Sequence, residues 1–283
     1  MVKYGLLCAA LVGCLALSLV PQAAHAEEGG FAHESALQIR AIPIGLSLFS
    51  TTGYGWSLWD SPDSDLLTGT KLEVGAATSL SPAFAWGGPY VTFVPAAVLP
   101  IKASAQVMGY FGNFGYLHVP DDGDWSLEEL DRSDDEGLGV GARGTLIHLQ
   151  ATPRLRIDRI VFTAETNAYW INMDVEGEYY EPYFDLLFEP SDFFFITRPT
   201  LGYLIGPDLS RWYLLLGLRW ERTMTRDTNL TRDIAGLVFA WKVPETLLAF
   251  GDPTLAGFMG VNTQHPNRDQ FFPYVGIQAL FQF

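Results

Sequence analysis

Nine carboxylates fall between Asp121 and Glu136, with Arg132 as the one cation among them. The stretch opens as Pro120-Asp121-Asp122-Gly123-Asp124-Trp125 and closes as Asp134-Asp135-Glu136. Crowded carboxylate oxygens are what hard cations take as ligands, so Asp121, Asp122 and Asp124 are candidate donors for Ca²⁺ or Mg²⁺. The spacing is not that of an EF-hand loop: the glycine comes too early and no glutamate closes the loop at the required place. A plain solvated acidic face accounts for the same run. Beyond this metal reading, no cofactor is expected.

A hydrolytic centre would need a nucleophile, an imidazole beside it and a third group to orient the ring. Past position 26 the histidines are His33, His118, His148 and His265. His33-Glu34-Ser35 has the right residue types, but it stands ahead of the first expected strand. His148 has Gln150 near it and no serine. His118 and His265 fall in expected loops beside Asp121-Asp122 and Asp269, a commonplace surface pairing. Both cysteines, Cys8 and Cys14, lie within the first 26 residues, which excludes thiolate metal sites and cysteine nucleophiles from the remainder. The chain is therefore not expected to be an enzyme.

The elements that would position these groups are strands. The last ten residues alternate: Val275, Ile277, Ala279, Phe281 and Phe283 share one face, and Tyr274, Gly276, Gln278, Leu280 and Gln282 the other. Arg211 to Met224 repeats the pattern, with Trp212, Leu214, Leu216, Leu218 and Trp220 opposite Tyr213, Gly217, Arg219 and Glu221. Apolar residues on one face and polar ones on the other suit an all-β transmembrane antiparallel up-and-down barrel, with lipid outside. About ten strands are expected, within a range of eight to twelve. Ala36 to Trp59 reads as one strand with a bulge at Pro43, and Thr70 to Phe93 as one long bent strand. Loops near 60–69, 112–137, 174–192, 225–233 and 262–271 are long; turns near 94–99, 151–156, 205–210 and 244–246 are short. That asymmetry distinguishes the two mouths of a membrane barrel. A soluble lipocalin-like barrel is the competing architecture, and it would turn its apolar face inward.

The expected lumen holds Arg143, Arg159, Glu165, Arg198, Arg219, Glu221 and Lys242. A barrel of this size is nearly filled by its own side chains. An unpaired buried charge costs several kcal/mol, so mixed charges there should pair across the interior and plug it. The same arginines could instead line a narrow anion-preferring pore.

The two ends of the chain supply an address. Met1-Val2-Lys3 is a short basic start, Tyr4 to Val20 is apolar, and Ala24-His25-Ala26 is a small-x-small cleavage pattern. Residues 1–26 read as an export signal cleaved after Ala26, and 27–283 as a single barrel domain. Leu11-Val12-Gly13-Cys14 offers the alternative of lipidation at Cys14. The tail, with Tyr274, Gly276, alternating hydrophobics through Phe281 and a terminal Phe283, resembles the carboxy-terminal assembly signal of Gram-negative outer-membrane barrels. The resemblance implies an outer-membrane location, passage through the barrel-assembly machinery, and lipid and lipopolysaccharide as surroundings. Lipopolysaccharide phosphates would give divalent cations at the acidic loop a setting. A monomer is expected. A formal charge of −15 argues against nucleic acid, whose phosphates need clustered Lys and Arg. The surface role expected from these features is adhesion, partner binding or envelope support through the acidic loops, with a rim hydrolase as a third reading.

Overall fold

The computed structural model describes residues 29–41, 44–59, 64, 66–113, 117, 136–206, 209, 213–243, 253–266 and 272–282. In chain order the strands are β1 (Gly30–Ala41), β2 (Ile44–Ser57), β3 (Lys71–Leu80), β4 (Phe84–Val94), β5 (Ile101–Phe111), β6 (Gly141–Ala151), β7 (Arg154–Ile157) and β8 (Ile160–Met173). They continue with β9 (Tyr179–Glu181), β10 (Leu186–Phe188), β11 (Ser191–Ile205), β12 (Tyr213–Thr225), β13 (Thr231–Lys242), β14 (Thr254–Gln264) and β15 (Pro273–Gln282). Wall strands pair antiparallel with their neighbours around a single ring, in which β8 pairs with β11 past the intervening β9 and β10 and β15 closes on β1. Among the described residues the closed wall has twelve strands; β7 continues the line of β6 along β8, and β9 and β10 stand apart as a hairpin.

The side-chain period of two decides which face meets which environment. In β12, Leu218 is 62% exposed while its neighbour Arg219 is 4% exposed. Outward positions around the wall carry Leu37, Leu48, Val107, Ile147, Leu149, Leu201 and Leu237, all exposed. An apolar exterior over a polar interior is the reverse of a lipocalin-like barrel and is the arrangement a lipid-spanning wall requires. No helix among the described residues is long and apolar enough to cross a membrane.

The expectation of about ten strands is corrected to twelve, and the reason is local. Ala41 pairs with Ile44 and Leu80 with Ala85, so the chain reverses at both places. Residues directly opposite one another in an antiparallel pair share a face. A tight reversal therefore flips the odd–even parity of the apolar positions, as a bulge also does. The flip near Pro43 and the interruption at Ser81-Pro82 are hairpins for that reason; Pro43 itself lies outside the described residues. The first strand begins at Gly30 rather than Ala36, so His33-Glu34-Ser35 is part of the wall.

Glu34 stands opposite Gln282, which brings the two chain ends to one rim, the terminal rim. The connection 58–70, expected among the long loops of the opposite mouth, joins this rim too: Ala97 N donates to Leu66 O at 2.8 Å. The two longest connections, 112–140 and 174–190, are at the far rim. Residues 1–26, expected to be an export signal, and the terminal Phe283 lie outside the described residues.

Candidate functional site

Residues 174–192 were expected to be a long loop at one mouth, and the structure instead folds the core of that stretch into the barrel. Their core is Tyr179-Tyr180-Glu181 paired with Leu186-Leu187-Phe188, joined by a turn over 182–185 in which Asp185 takes a positive φ of 54°. A hairpin so rich in Tyr, Phe and Leu finds its apolar partners, among the described residues, inside the lumen. Tyr179, Leu186 and Phe188 end fully buried. Phe184 lies edge-on to Phe194 with centroids 4.7 Å apart, and Tyr183 packs against Trp86 at 5.1 Å. Phe84 stacks on Trp86 and Tyr169 on Phe194, so rings from β4, β8 and β11 surround the hairpin.

Polar clamps hold its backbone. Arg40 on β1 donates from Nη1 to Tyr183 O at 2.5 Å and from Nη2 to Pro182 O at 3.0 Å, with its guanidinium over the Tyr183 ring. Arg232 on β13 donates to Phe184 O at 2.6 Å. From β5, the Tyr110 hydroxyl donates to Glu181 Oε1 at 2.7 Å, while Phe184 N donates to Oε2 at 2.7 Å. Burial pushes the Glu181 carboxyl up to about 7, against the pull of those donors. Asp185 accepts from the Tyr180 hydroxyl at 2.6 Å and sits 3.2 Å from His265 Nε2. The hairpin is thus tied to both halves of the ring.

Beneath it runs a chain of charges. Arg232 Nη2 meets Glu221 Oε1 at 2.6 Å; Glu221 Oε2 meets Arg198 Nε at 2.6 Å; Arg198 Nη1 meets Glu165 Oε1 at 2.7 Å. Asn167 donates to Glu165 at 2.8 Å and is itself 2.8 Å from His148 Nε2. Arg219 donates to Thr200 Oγ1 at 3.0 Å and lies over the Phe258 ring. In this low-dielectric interior each charge must find a partner, and neighbouring strands supply one at matching height.

Of the seven lumen-lining residues expected, the structure therefore brings Glu165, Arg198, Arg219 and Glu221 together. Lys242 shares the inward parity of the buried Val238 and Ala240, but at the terminal end of β13, away from the network. Two expectations are corrected. Arg143 is exposed on the outer face, on the parity of Ile147 and Leu149, near the far end of β6. Arg159 lies in the turn after β7 and donates to Gly206 O at 3.2 Å at the terminal rim, before the wall strand begins. Asp121, Asp122 and Asp124 lie outside the described residues. In the tail, Tyr274 and Gly276 face inward and Phe281 outward, in the register expected. Arg232 was assigned to a loop; its even-numbered parity with Ile234, Gly236 and Val238 was the signal for an inward position. Glu181 had no signal, because an inserted loop leaves no period to read.

In the terminal half of the lumen lies a cavity of about 240 Å³, lined by Glu34, Glu73, Tyr90, Lys102, Gln150 and Arg154 among others. Glu73 is held by Lys71 Nζ at 2.7 Å and by the Tyr90 hydroxyl at 2.6 Å. Tyr90 has room because position 53 is glycine, where a Cβ would collide with the phenol oxygen. Lys102 rests its ammonium over the Tyr90 ring, 4.6 Å from the centroid. Gln282 donates to Glu34 at 3.0 Å.

No family model matches the chain, and no curated protein does. Among solved structures it is similar to the β domain of the Bordetella autotransporter BrkA, at 11% identity over 90% of this chain and 98% of that one, with a TM-score of 0.46. It is similar also to LpxR from Salmonella typhimurium, at 9% identity over 89% and 99%, TM-score 0.41. OmpT of Vibrio cholerae, expressed in the outer membrane, gives 8% identity over 90% and 97%, TM-score 0.39. At such values the likeness goes no further than barrel architecture. That architecture stands on the closed wall itself, apolar without and polar within: the chain has the fold of an outer-membrane β-barrel.

Proposed function

We propose that the protein is a monomeric outer-membrane barrel, exported behind a leader that ends at Ala26, with a closed lumen and a role at the surface. That role is contact with a partner, or support of the envelope, through the far-rim loops, amid outer-membrane lipid and lipopolysaccharide. The observation that carries this reading is the buried hairpin of β9 and β10, clamped by Arg40 and Arg232 above a paired charge network. A solute crossing the barrel would have to displace that hairpin and break ion pairs that have no aqueous substitute. A narrow anion-preferring passage is the second reading, favoured by the polar cavity beside Lys102.

Single-channel recording in planar bilayers tests the two. Protein refolded to a heat-modifiable form should be electrically silent. Discrete ohmic openings that lose anion preference in Arg219→Glu would replace the closed barrel with the pore.

A further inference from the structure

We propose that His33, Ser35 and Thr52 form an ester-hydrolysing site on the lipid-facing wall, with acyl esters of membrane lipids as its substrate class. The three residues are brought together by pairing of β1 with β2. His33 stands directly opposite Thr52, and Ser35 opposite Ser50. All four share the outward parity of the exposed Leu37 and Leu48. His33 Nε2 is 2.9 Å from Ser35 Oγ, and His33 Nδ1 is 2.8 Å from Thr52 Oγ1. With its proton on Nδ1, the ring donates to the threonine and accepts from the serine. Those are the roles of nucleophile, general base and orienting group in hydroxyl-based acyl transfer. Thr52 acts through His33 and is a positioning residue. The Ser50 hydroxyl lies 3.4 Å from Ser35 Oγ as an alternative acceptor, and its own proton is free to turn to an oxyanion forming at Ser35.

The position on the wall names the substrate. On the terminal side the cluster is bordered by Phe31, Tyr54 and Trp56, with Tyr54 in edge contact with both neighbours at centroid distances of 5.0 and 4.9 Å. Aromatic rings of this kind settle at the headgroup level of a bilayer. On the other side come Leu37 and Leu48, then Ile39 and Leu46, which belong with acyl chains. Ser35 is therefore placed where headgroup gives way to hydrocarbon, the depth of a lipid's acyl ester bonds. A soluble ester would have to reach the same spot through the aromatic border.

The reaction balances with water as the only co-reactant. Ser35 Oγ bonds to the ester carbonyl carbon while its proton passes to His33 Nε2. The carbon–oxygen bond to the lipid alcohol breaks, and that oxygen takes the proton from Nε2, leaving an acyl-Ser35 ester. Water then gives a proton to Nε2 and its oxygen to the acyl carbon; Ser35 Oγ departs, recovers the proton, and a fatty acid leaves. With a side-chain hydroxyl as the oxyanion donor, turnover is expected to be slow. The site lies outside the barrel, so it stands or falls independently of whether the lumen conducts.

The test treats the refolded full chain, in detergent micelles, with a long-chain alkyl fluorophosphonate. This probe bonds its phosphorus to an activated serine oxygen and expels fluoride. One adduct is expected, mapped to Ser35 by peptide mass spectrometry and absent from Ser35→Ala. Its rate should fall about 100-fold in His33→Ala, persist in Thr52→Ser and drop in Thr52→Val, which keeps the shape but not the hydroxyl. Fatty acid released from micelles of a short-chain diacyl glycerophospholipid should follow the same order. No Ser35 adduct on a barrel of heat-modifiable mobility overturns the proposal, as does labelling at an unchanged rate in His33→Ala. Should His33→Ala not fold, equal rates in the two Thr52 variants overturn it instead. An adduct without any fatty acid released from the phospholipid overturns the substrate class.

Discussion

Glu221 is the residue on which the luminal charges depend. Its two oxygens hold Arg198 and Arg232, and Arg232 in turn holds the hairpin carbonyl of Phe184. Glu221→Ala would leave the buried Arg232 without its anion and Arg198 with Glu165 alone, a loss of about 3–5 kcal/mol. The expected outcome is a lower urea midpoint of the refolded barrel, read by heat-modifiable mobility, with the unfolding slope unchanged. Glu181 makes a different prediction. Its carboxyl stands near 7 when docked, against an ordinary value of 4.5, so the docked hairpin binds the proton more tightly than the free one. Docking is then fully favoured below about 4.5 and weakens as pH rises through about 7. Hydrogen exchange across residues 179–188, corrected for intrinsic rates, should show greater protection at pH 5 than at pH 8. Glu181→Gln keeps a carbonyl acceptor for Phe184 N and turns its amide NH2 to the Tyr110 oxygen, which can accept, and should remove that difference.

At the scale of elements, the wall and its contents are separable. Strand β8 pairs with β11 from Asn172–Ser191 to Ile160–Tyr203 without using the hairpin, and β5 pairs with β6 from Ile101–Ala151 to Phe111–Gly141 without using 112–140. Replacing residues 178–189 by a short Gly/Ser linker should leave a heat-modifiable barrel that now conducts, since the aromatic stopper is gone while the wall ladder remains. If the deleted form folds and stays silent, the charge network alone closes the lumen.

At the scale of the whole molecule, the outward face must match the hydrocarbon thickness of a bilayer. Leu218 is at the middle of β12, fully on the lipid side, with Leu201 opposite. Leu218→Arg should cost about 2–4 kcal/mol of folding stability in lipid, as a guanidinium at the bilayer midplane does. Ile157→Arg, in the short β7 at the terminal rim, should cost far less, about 0–1 kcal/mol. Equilibrium unfolding from phospholipid vesicles checks both, and equal penalties would mean the belt does not face a bilayer core.

Alternation along β8, β11, β12 and β15 was enough to read an antiparallel barrel and to assign Glu165, Arg198, Arg219 and Glu221 to its interior, because a period of two is a property of each strand alone. The same local reading miscounted the strands where the reversals between Ala41 and Ile44 and between Leu80 and Ala85 mimicked a bulge and a bend, since both flip parity. It placed Arg143 and Arg159 inside because parity says which side a residue faces only once the strand's ends and its partner are known. Three things were decided by the tertiary structure. Pairing of β1 with β2 set His33 and Ser35 beside Thr52, 17 residues away from Ser35 along the chain. Pairing of β12 between β11 and β13 brought Arg198 and Arg232 to one carboxylate. Closure also ringed the far part of the lumen with Phe84, Trp86, Tyr110 and Phe194, among which 179–188 could fold. A loop rich in aromatics has a place to bury them only after distant strands have closed around it, and no spacing within the loop records that.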